Sequence, residues 1–178
     1  MQALALDRAA PGPVRLLSLC AGQGRDVLPG LARHPRGADV RGRLVELDPG
    51  LAGAARAAAP VAVEVVVADA GHTAACAGAV PADLLLLCGI FGNVADEDVA
   101  RTVAAVPSLL ATGGTAIWTR HRRAPDATPG IRAWFAAAGV AETGVRRRAG
   151  RGLVGRGGRA AGGLHAAGRA GAALLLRR

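Results

Sequence analysis

The stretch Leu16-Leu17-Ser18-Leu19-Cys20-Ala21-Gly22-Gln23-Gly24-Arg25-Asp26, followed by Val45-Glu46-Leu47-Asp48-Pro49, constrains this chain more than any other feature. An apolar run ends in a two-glycine turn, a segment long enough for a helix follows, and a second apolar run ends in an acid. Strand, turn, helix and strand in that order form the repeating unit of a parallel α/β sheet. Gly22 and Gly24 allow a sharp turn and let a ligand approach where a Cβ would stand in the way. Glu46 lies twenty-two residues beyond Gly24, near the spacing of roughly 20 at which an acid accepts hydrogen bonds from ribose hydroxyls. Asp48-Pro49 reads as a helix N-cap followed by proline at the first helical position, which leaves Glu46 for a ligand. Spacing alone also permits the reverse assignment of the two acids, and a two-glycine turn by itself equally marks an ordinary strand-to-helix connection.

The same alternation continues along the chain. Further apolar runs at 43–47, 61–68, 84–88 and 115–119 read as buried parallel strands after a first at Val14–Leu19. Helices are expected at 25–34, 49–59, 73–79 and 96–110, the last with Asp96 as N-cap and a kink or stop at Pro107. A fifth is expected from Thr128 as N-cap, with Pro129 at its first position and Gly139 closing it. The fold class expected is therefore α/β, a Rossmann-like and mainly parallel sheet with helices on both faces. Gly22, Glu46, Asp69, Cys88 and Thr119 then fall at or just after strand ends, where one rim of the sheet collects them.

The segments LLSLCAGQGRD, VELDP, VVVADA, ADLLLLCGIFGNV, GGTAIWTRHRRAPD and TPGIRAWFAAAGV, spanning roughly residues 14–142, resemble class I S-adenosylmethionine-dependent methyltransferases. Within them CGIFGNV, IWTRHRRAPD and IRAWF are similar to a bacterial methyltransferase subgroup. The resemblance implies S-adenosylmethionine as cofactor and an unidentified small-molecule acceptor. It implies cofactor contacts at Cys20, Ala21, Gly22, Gly24, Asp26, Glu46, Leu47, Asp69, Ala70, Cys88 and Gly89. Asp69 would accept from the adenine amino group and the Ala70 amide would meet the ring, while residues 89–93 would face the methionine part and the acceptor. Asp69 reads equally as a turn-capping aspartate, and Phe91 as core.

Methyl transfer asks mainly for placement, and a base only where the acceptor holds its proton tightly. His121 is the catalytic candidate and His72 the second, each also readable as an ordinary surface histidine. Arg120, Arg122 and Arg123 reach the same rim, where they suit an anionic acceptor or a solvated loop, with Asp126 as a partner for one of them.

Composition separates the body from the tail. Residues 1–145 hold 13 Arg and all 13 acids, while residues 146–178 hold 9 Arg and no acid. The body has no basic footprint for nucleic acid, so nucleic acid is expected only through the Arg-rich tail. A methyltransferase domain is expected over 1–145. From 146 to 178 an Arg/Gly/Ala-rich tail is expected, disordered or out of frame, with the final antiparallel strand pair missing or disrupted. Only about 13 residues precede the first strand, where many members of the resembling family carry a structure that covers the acceptor.

Three cysteines without a CxxC pair point to a reducing, cytoplasmic setting, and neither a leader nor a bilayer-spanning run is apparent. Metal spacing, a phosphate-binding GxxxxGK and a GxSxG elbow are absent from the sequence. An NAD(P)-dependent oxidoreductase is the alternative enzyme; it is disfavoured because Val27 stands at the third glycine of the dinucleotide fingerprint. A non-catalytic nucleoside- or RNA-binding protein is the alternative outside enzymes.

Overall fold

The computed structural model describes residues 5–7, 9–122, 124–147 and 171–177. Seven strands form one sheet: β1 (Val14–Leu19), β2 (Val40–Glu46), β3 (Val63–Val67), β4 (Ala82–Leu87), β5 (Leu110–His121), β6 (Ala141–Arg147) and β7 (Gly171–Arg177). Their order is β3-β2-β1-β4-β5-β7-β6. The first five run parallel, and β7 pairs antiparallel with both β5 and β6. The expected Rossmann-like α/β sheet is thus present. The last pair, expected to be missing or disrupted, is present: β6 and β7 pair antiparallel with one register shift between Glu142 and Gly144. Residues 171–177 of the Arg/Gly/Ala-rich segment stand in the sheet as β7, whereas 148–170 lie outside the described residues.

Four helices connect the strands: α1 (Leu28–Arg33), α2 (Pro49–Ala58), α3 (Asp96–Leu109) and α4 (Thr128–Ala137). A 3-10 turn at Thr73–Cys76 replaces the expected helix over 73–79. Asp48 caps α2, its Oδ1 accepting from Leu51 N–H at 2.8 Å, with Pro49 behind it. The other two predicted caps move by one residue. Asp96 is the first helical residue of α3 after Ala95, so Asp96, Glu97 and Asp98 all lie in the first turn, against the positive end of the helix dipole. Thr128 is likewise inside α4, and its amide donates to Asp126 Oδ1 at 3.0 Å. Helix α3 runs two residues past Pro107, which sits in its last turn.

Strand alternation divides the core between the two faces. Leu17, Leu85, Leu87 and Trp118 join Val99, Val103, Val106, Ile131 and Phe135 under α3 and α4. Leu16, Leu84, Leu86 and Ile117 join Leu28, Leu31, Ala52 and Ala55 under α1 and α2. With only four Phe and Trp in the chain, three of them meet on the first face. Phe91, Trp118 and Phe135 stand 5.5 to 6.2 Å apart, centre to centre, at stacked or tilted angles, each pair contributing about 0.5–1.5 kcal/mol beyond area burial. Phe91 is fully buried there, the core reading of that residue.

Candidate functional site

Glu46 ends β2 with only 9% of its surface exposed, and both carboxylate oxygens are held. Gly22 N–H donates to Oε2 at 2.6 Å and Asp48 N–H donates to Oε1 at 3.0 Å. The acid therefore ties the turn after β1 to the start of α2, two connections that cross the same strand ends. Asp48 is the helix cap, as the first of the two readings has it.

The turn after β1 is closed by its own backbone. Ala21 N–H donates to Val45 C=O at 3.0 Å, Gly24 N–H to Ala21 C=O at 2.9 Å, and Leu28 N–H to Gly24 C=O at 2.8 Å. Gly22 and Gly24 take φ of +56° and +70°, a region that L side chains seldom enter. A β-carbon on Gly22 would find nothing within 4 Å, so that backbone faces open space, whereas one on Gly24 would stand 2.5 Å from Leu28 Cδ1. Cys20 shares the left-handed region at φ 51°.

The neighbouring strand ends converge on this turn. Partial burial of the Cys20 thiol, then the carboxylates of Glu46 and Asp69, push its pKa up, so three strand ends share one electrostatic field. Leu47, immediately after Glu46, is 65% exposed and offers an apolar surface beside the acid. Asp69 accepts from Gly71 N–H at 2.8 Å and has His72 Nδ1 at 3.4 Å from its second oxygen. Its turn-capping role is therefore real, and the second oxygen keeps acceptor capacity. Ala70 packs partly buried against the aromatic side of the core. A groove of about 430 Å³ opens beside Asp69, lined also by Arg43, Val66, Ala68, His72 and Ala75. A larger cavity of about 730 Å³ runs along α4 and the start of β6, and none of these strand-end residues lines it.

Past β4, Cys88 is buried, and its thiol is pushed up to about 12 by burial and then by the nearby Asp26 carboxylate. It is no nucleophile at neutral pH. Gly89, at φ 84°, is pinned from two sides: its N–H donates to Thr119 Oγ1 at 2.9 Å and its C=O accepts from the Asn93 side chain. His121, half-buried at the end of β5, borders this loop; a β-carbon on Gly92 would lie 3.5 Å from His121 Cδ2 and 3.8 Å from Nε2. His72, the other histidine candidate, is exposed beside Asp69 at the far side of the rim.

The arginine cluster separates. Arg122 Nε donates to Asp126 at 2.9 Å, and Arg123 lies outside the described residues. Asp126 is held down to about 2 by the Thr128 hydroxyl, the Arg122 guanidinium and the Thr128 amide. Arg120 keeps no such partner among the described residues. Sequence reading missed one organising residue, Arg36. Its Nη1 donates to Leu6 and Ala9 C=O, its Nη2 to Ala10 and Gly12 C=O, and its Nε to Asp39, fastening the segment before β1 to the body. Those carbonyls are 24 to 30 residues away, and an isolated Arg carries no local signal for such a contact. Among the described residues no group of His, Cys, Asp and Glu could hold a metal ion, and no helix is long and apolar enough to cross a membrane.

No family model and no curated protein matches the chain. Solved structures do. The TehB-like SAM-dependent methyltransferase of Corynebacterium glutamicum matches with a TM-score of 0.66 at 16% identity, over 99% of this chain and 86% of that one. Magnesium protoporphyrin IX methyltransferase of Synechocystis, solved with SAM, gives 0.70 at 12% identity, over 99% and 76%. The N-methyltransferase NodS of Bradyrhizobium japonicum, in complex with S-adenosylhomocysteine, gives 0.68 at 16%, over 99% and 83%. Strand order and these superpositions together identify the fold of this chain as that of the class I S-adenosylmethionine-dependent methyltransferases.

Proposed function

We propose that the chain is a methyltransferase that uses S-adenosylmethionine on a small-molecule acceptor. The observation that carries this is the buried Glu46 carboxylate, fixed by two amides at the carboxyl end of β2 beside a glycine whose β-position is open. Residues and cofactor fit: Gly22 leaves room for close approach, Glu46 retains lone pairs for two ribose hydroxyls, and exposed Leu47 suits the apolar face of a nucleoside. Asp69 and the Ala70 amide would hold the base, with the groove beside them. Cys20, Ala21, Gly24 and Asp26 shape the turn, and Cys88 and Gly89 border the methionine part.

Bound S-adenosylmethionine supplies a methyl carbon already made electrophilic by its sulfonium. The chain's own contribution is placement, for which about 7–11 kcal/mol is available in well-oriented systems. Gly89, pinned by Thr119 and Asn93, keeps the loop after β4 in one geometry where donor and acceptor meet. His121 borders that loop and takes the acceptor's proton at Nε2 or through a water.

The oxidoreductase alternative is not favoured. The dinucleotide fold runs 3-2-1-4-5-6, whereas here an antiparallel β7 is inserted between β5 and β6. Val27 is buried under α1, filling the place where the fingerprint needs glycine.

Titration calorimetry tests the proposal. The protein is expected to bind S-adenosylhomocysteine and not NAD, and Glu46→Gln is expected to weaken that binding about tenfold to a hundredfold, the range for a hydrogen bond to a charged group. Unchanged affinity in Glu46→Gln, or preference for NAD, would overturn the reading. Transfer of labelled methyl to fractionated cell extract then tests catalysis and acceptor class together.

A further inference from the structure

The arginines whose side chains are described are either bonded to an acceptor or exposed, and one residue is neither. Arg36, Arg43, Arg101, Arg122 and Arg132 are tied to carboxylates, and Arg15 and Arg56 donate to backbone carbonyls. Arg25, Arg33 and Arg41 are exposed, where water satisfies a guanidinium. Arg120 is half-buried, its Nε is shut away from solvent, and no acceptor reaches it among the described residues. A buried charged donor without an acceptor is costly, and proteins keep such groups where something else completes them.

Its place in the fold says what that something meets. The β4–β5 ladder ends at Leu87 opposite Trp118, so Arg120 stands level with the loop after β4 whose Gly89 is bonded to Thr119. On its other side Arg120 pairs with Ala172 of β7. Two-residue alternation puts Arg120 on the side of Trp118 and its aromatic neighbours, and His121 on the other, beside Gly92. Trp118 Nε1 and His121 Nδ1 are also buried without a hydrogen-bond partner among the described residues. Trp118 is enclosed in the aromatic core, whereas Arg120 and His121 end the strand level with the loop after β4, one on either side of it, where the acceptor would lie.

Resting on the methyltransferase reading, we propose that Arg120 anchors the acceptor through an anionic oxygen group, making the substrate class a small organic acid whose nucleophile lies toward His121. A carboxylate is the group of choice, because Nε and one Nη form a planar fork that matches its two oxygens. A phosphate presents the same oxygens to the fork.

The test uses the full chain loaded with S-adenosylhomocysteine, titrated with benzoate and with phenyl phosphate and followed by tryptophan fluorescence and calorimetry. Saturable binding of benzoate is expected, weakened about tenfold or more in Arg120→Gln and unchanged in Arg41→Gln, at the exposed start of β2. Tighter binding of phenyl phosphate, equally dependent on Arg120, upholds the anion site and names its source as a phosphate. Arg120→Lys keeps the charge but not the fork, and serves if Arg120→Gln does not fold; benzoate is expected to bind it severalfold more weakly. Equal affinity in either variant, or no saturable binding of either anion, overturns the inference. Binding of S-adenosylhomocysteine without the anion sinks this inference alone, whereas Arg120-dependent anion binding without S-adenosylhomocysteine sinks the methyltransferase reading and leaves the anion site standing.

Discussion

Gly22 and Gly24 share a turn and a left-handed backbone but meet different constraints. Gly24 is buried, and an added β-carbon would collide with Leu28 Cδ1 at 2.5 Å and press Leu44 Cδ2 at 3.2 Å. Gly24→Ala therefore combines the left-handed cost of about 1–2 kcal/mol with overpacking of about 1–3 kcal/mol. A loss of about 2–5 kcal/mol in urea unfolding is expected. Gly22→Ala meets no neighbour within 4 Å and should cost stability only about 1–2 kcal/mol, the backbone term alone. Its methyl would project where the ligand approaches, so binding of S-adenosylhomocysteine should fall more in Gly22→Ala than its stability does. Equal losses of stability in the two variants would show that Gly24 is not a packing glycine, and full binding by Gly22→Ala would remove the ligand from that surface.

The β5–α4 connection illustrates what an element boundary adds. Asp126, held near 2 against an ordinary 3.8, favours the folded state while it is charged. Its contribution is complete above about pH 4 and disappears as pH falls toward 2, and exposure keeps it small. The urea midpoint of wild type should exceed that of Asp126→Asn at pH 5, and the gap should close by pH 2; a gap that does not change with pH would exclude the carboxylate as its cause. Sequence placed this aspartate beside an arginine but made Thr128 the cap, because capping depends on backbone angles that a residue type only favours. Strand limits failed for a related reason. A short strand is expected at 115–119, yet β5 begins at Leu110 and carries Gly113 and Gly114 through a register shift against Ala82 and Leu84. A β-carbon on Gly114 would sit 2.8 Å from Ala111 O and 2.9 Å from Ala82 O, and Gly113 takes φ +76°. Gly42 lies inside β2 for the same cause, its β-position 1.9 Å from Leu16 O. Such glycines are demanded by the neighbouring strand, and the sequence alone does not distinguish them from loop glycines. The rim was legible because apolar run, glycine and acid are local signals. Arg36 and the Gly89–Thr119 bond were not, because their partners are distant in sequence.

At the scale of the whole molecule, the segment that composition sets apart supplies the strand next to the far edge of the sheet. Residues 146–178 hold nine Arg and no acid, and carry no Asn, Asp, Ser or Thr with which a hairpin announces its turn. Only Ala172-Ala173-Leu174-Leu175-Leu176 has the content of a buried strand, and β7 lies there, bonded to β5 from Thr115 to His121 and to β6 from Ala141 to Arg147. Truncation after residue 147 would strip both neighbours at once. Strand β5 would become an open edge, and β6 would lose the strand it pairs with. Exposed edges recruit other chains, so the truncated protein is expected to self-associate in light scattering and to unfold at lower urea than the full chain. Strands β1 to β4, which carry Gly22, Glu46, Asp69 and Gly89, pair among themselves and not with β7. Whatever fraction stays monomeric should therefore still bind S-adenosylhomocysteine, while the Arg120-dependent anion, seated on the strand that β7 braces, should bind more weakly. A monomeric truncated chain with an unchanged urea midpoint would mean that the β5–β7–β6 ladder contributes nothing to stability. Loss of S-adenosylhomocysteine binding by the monomer would mean that the cofactor rim depends on the far edge of the sheet.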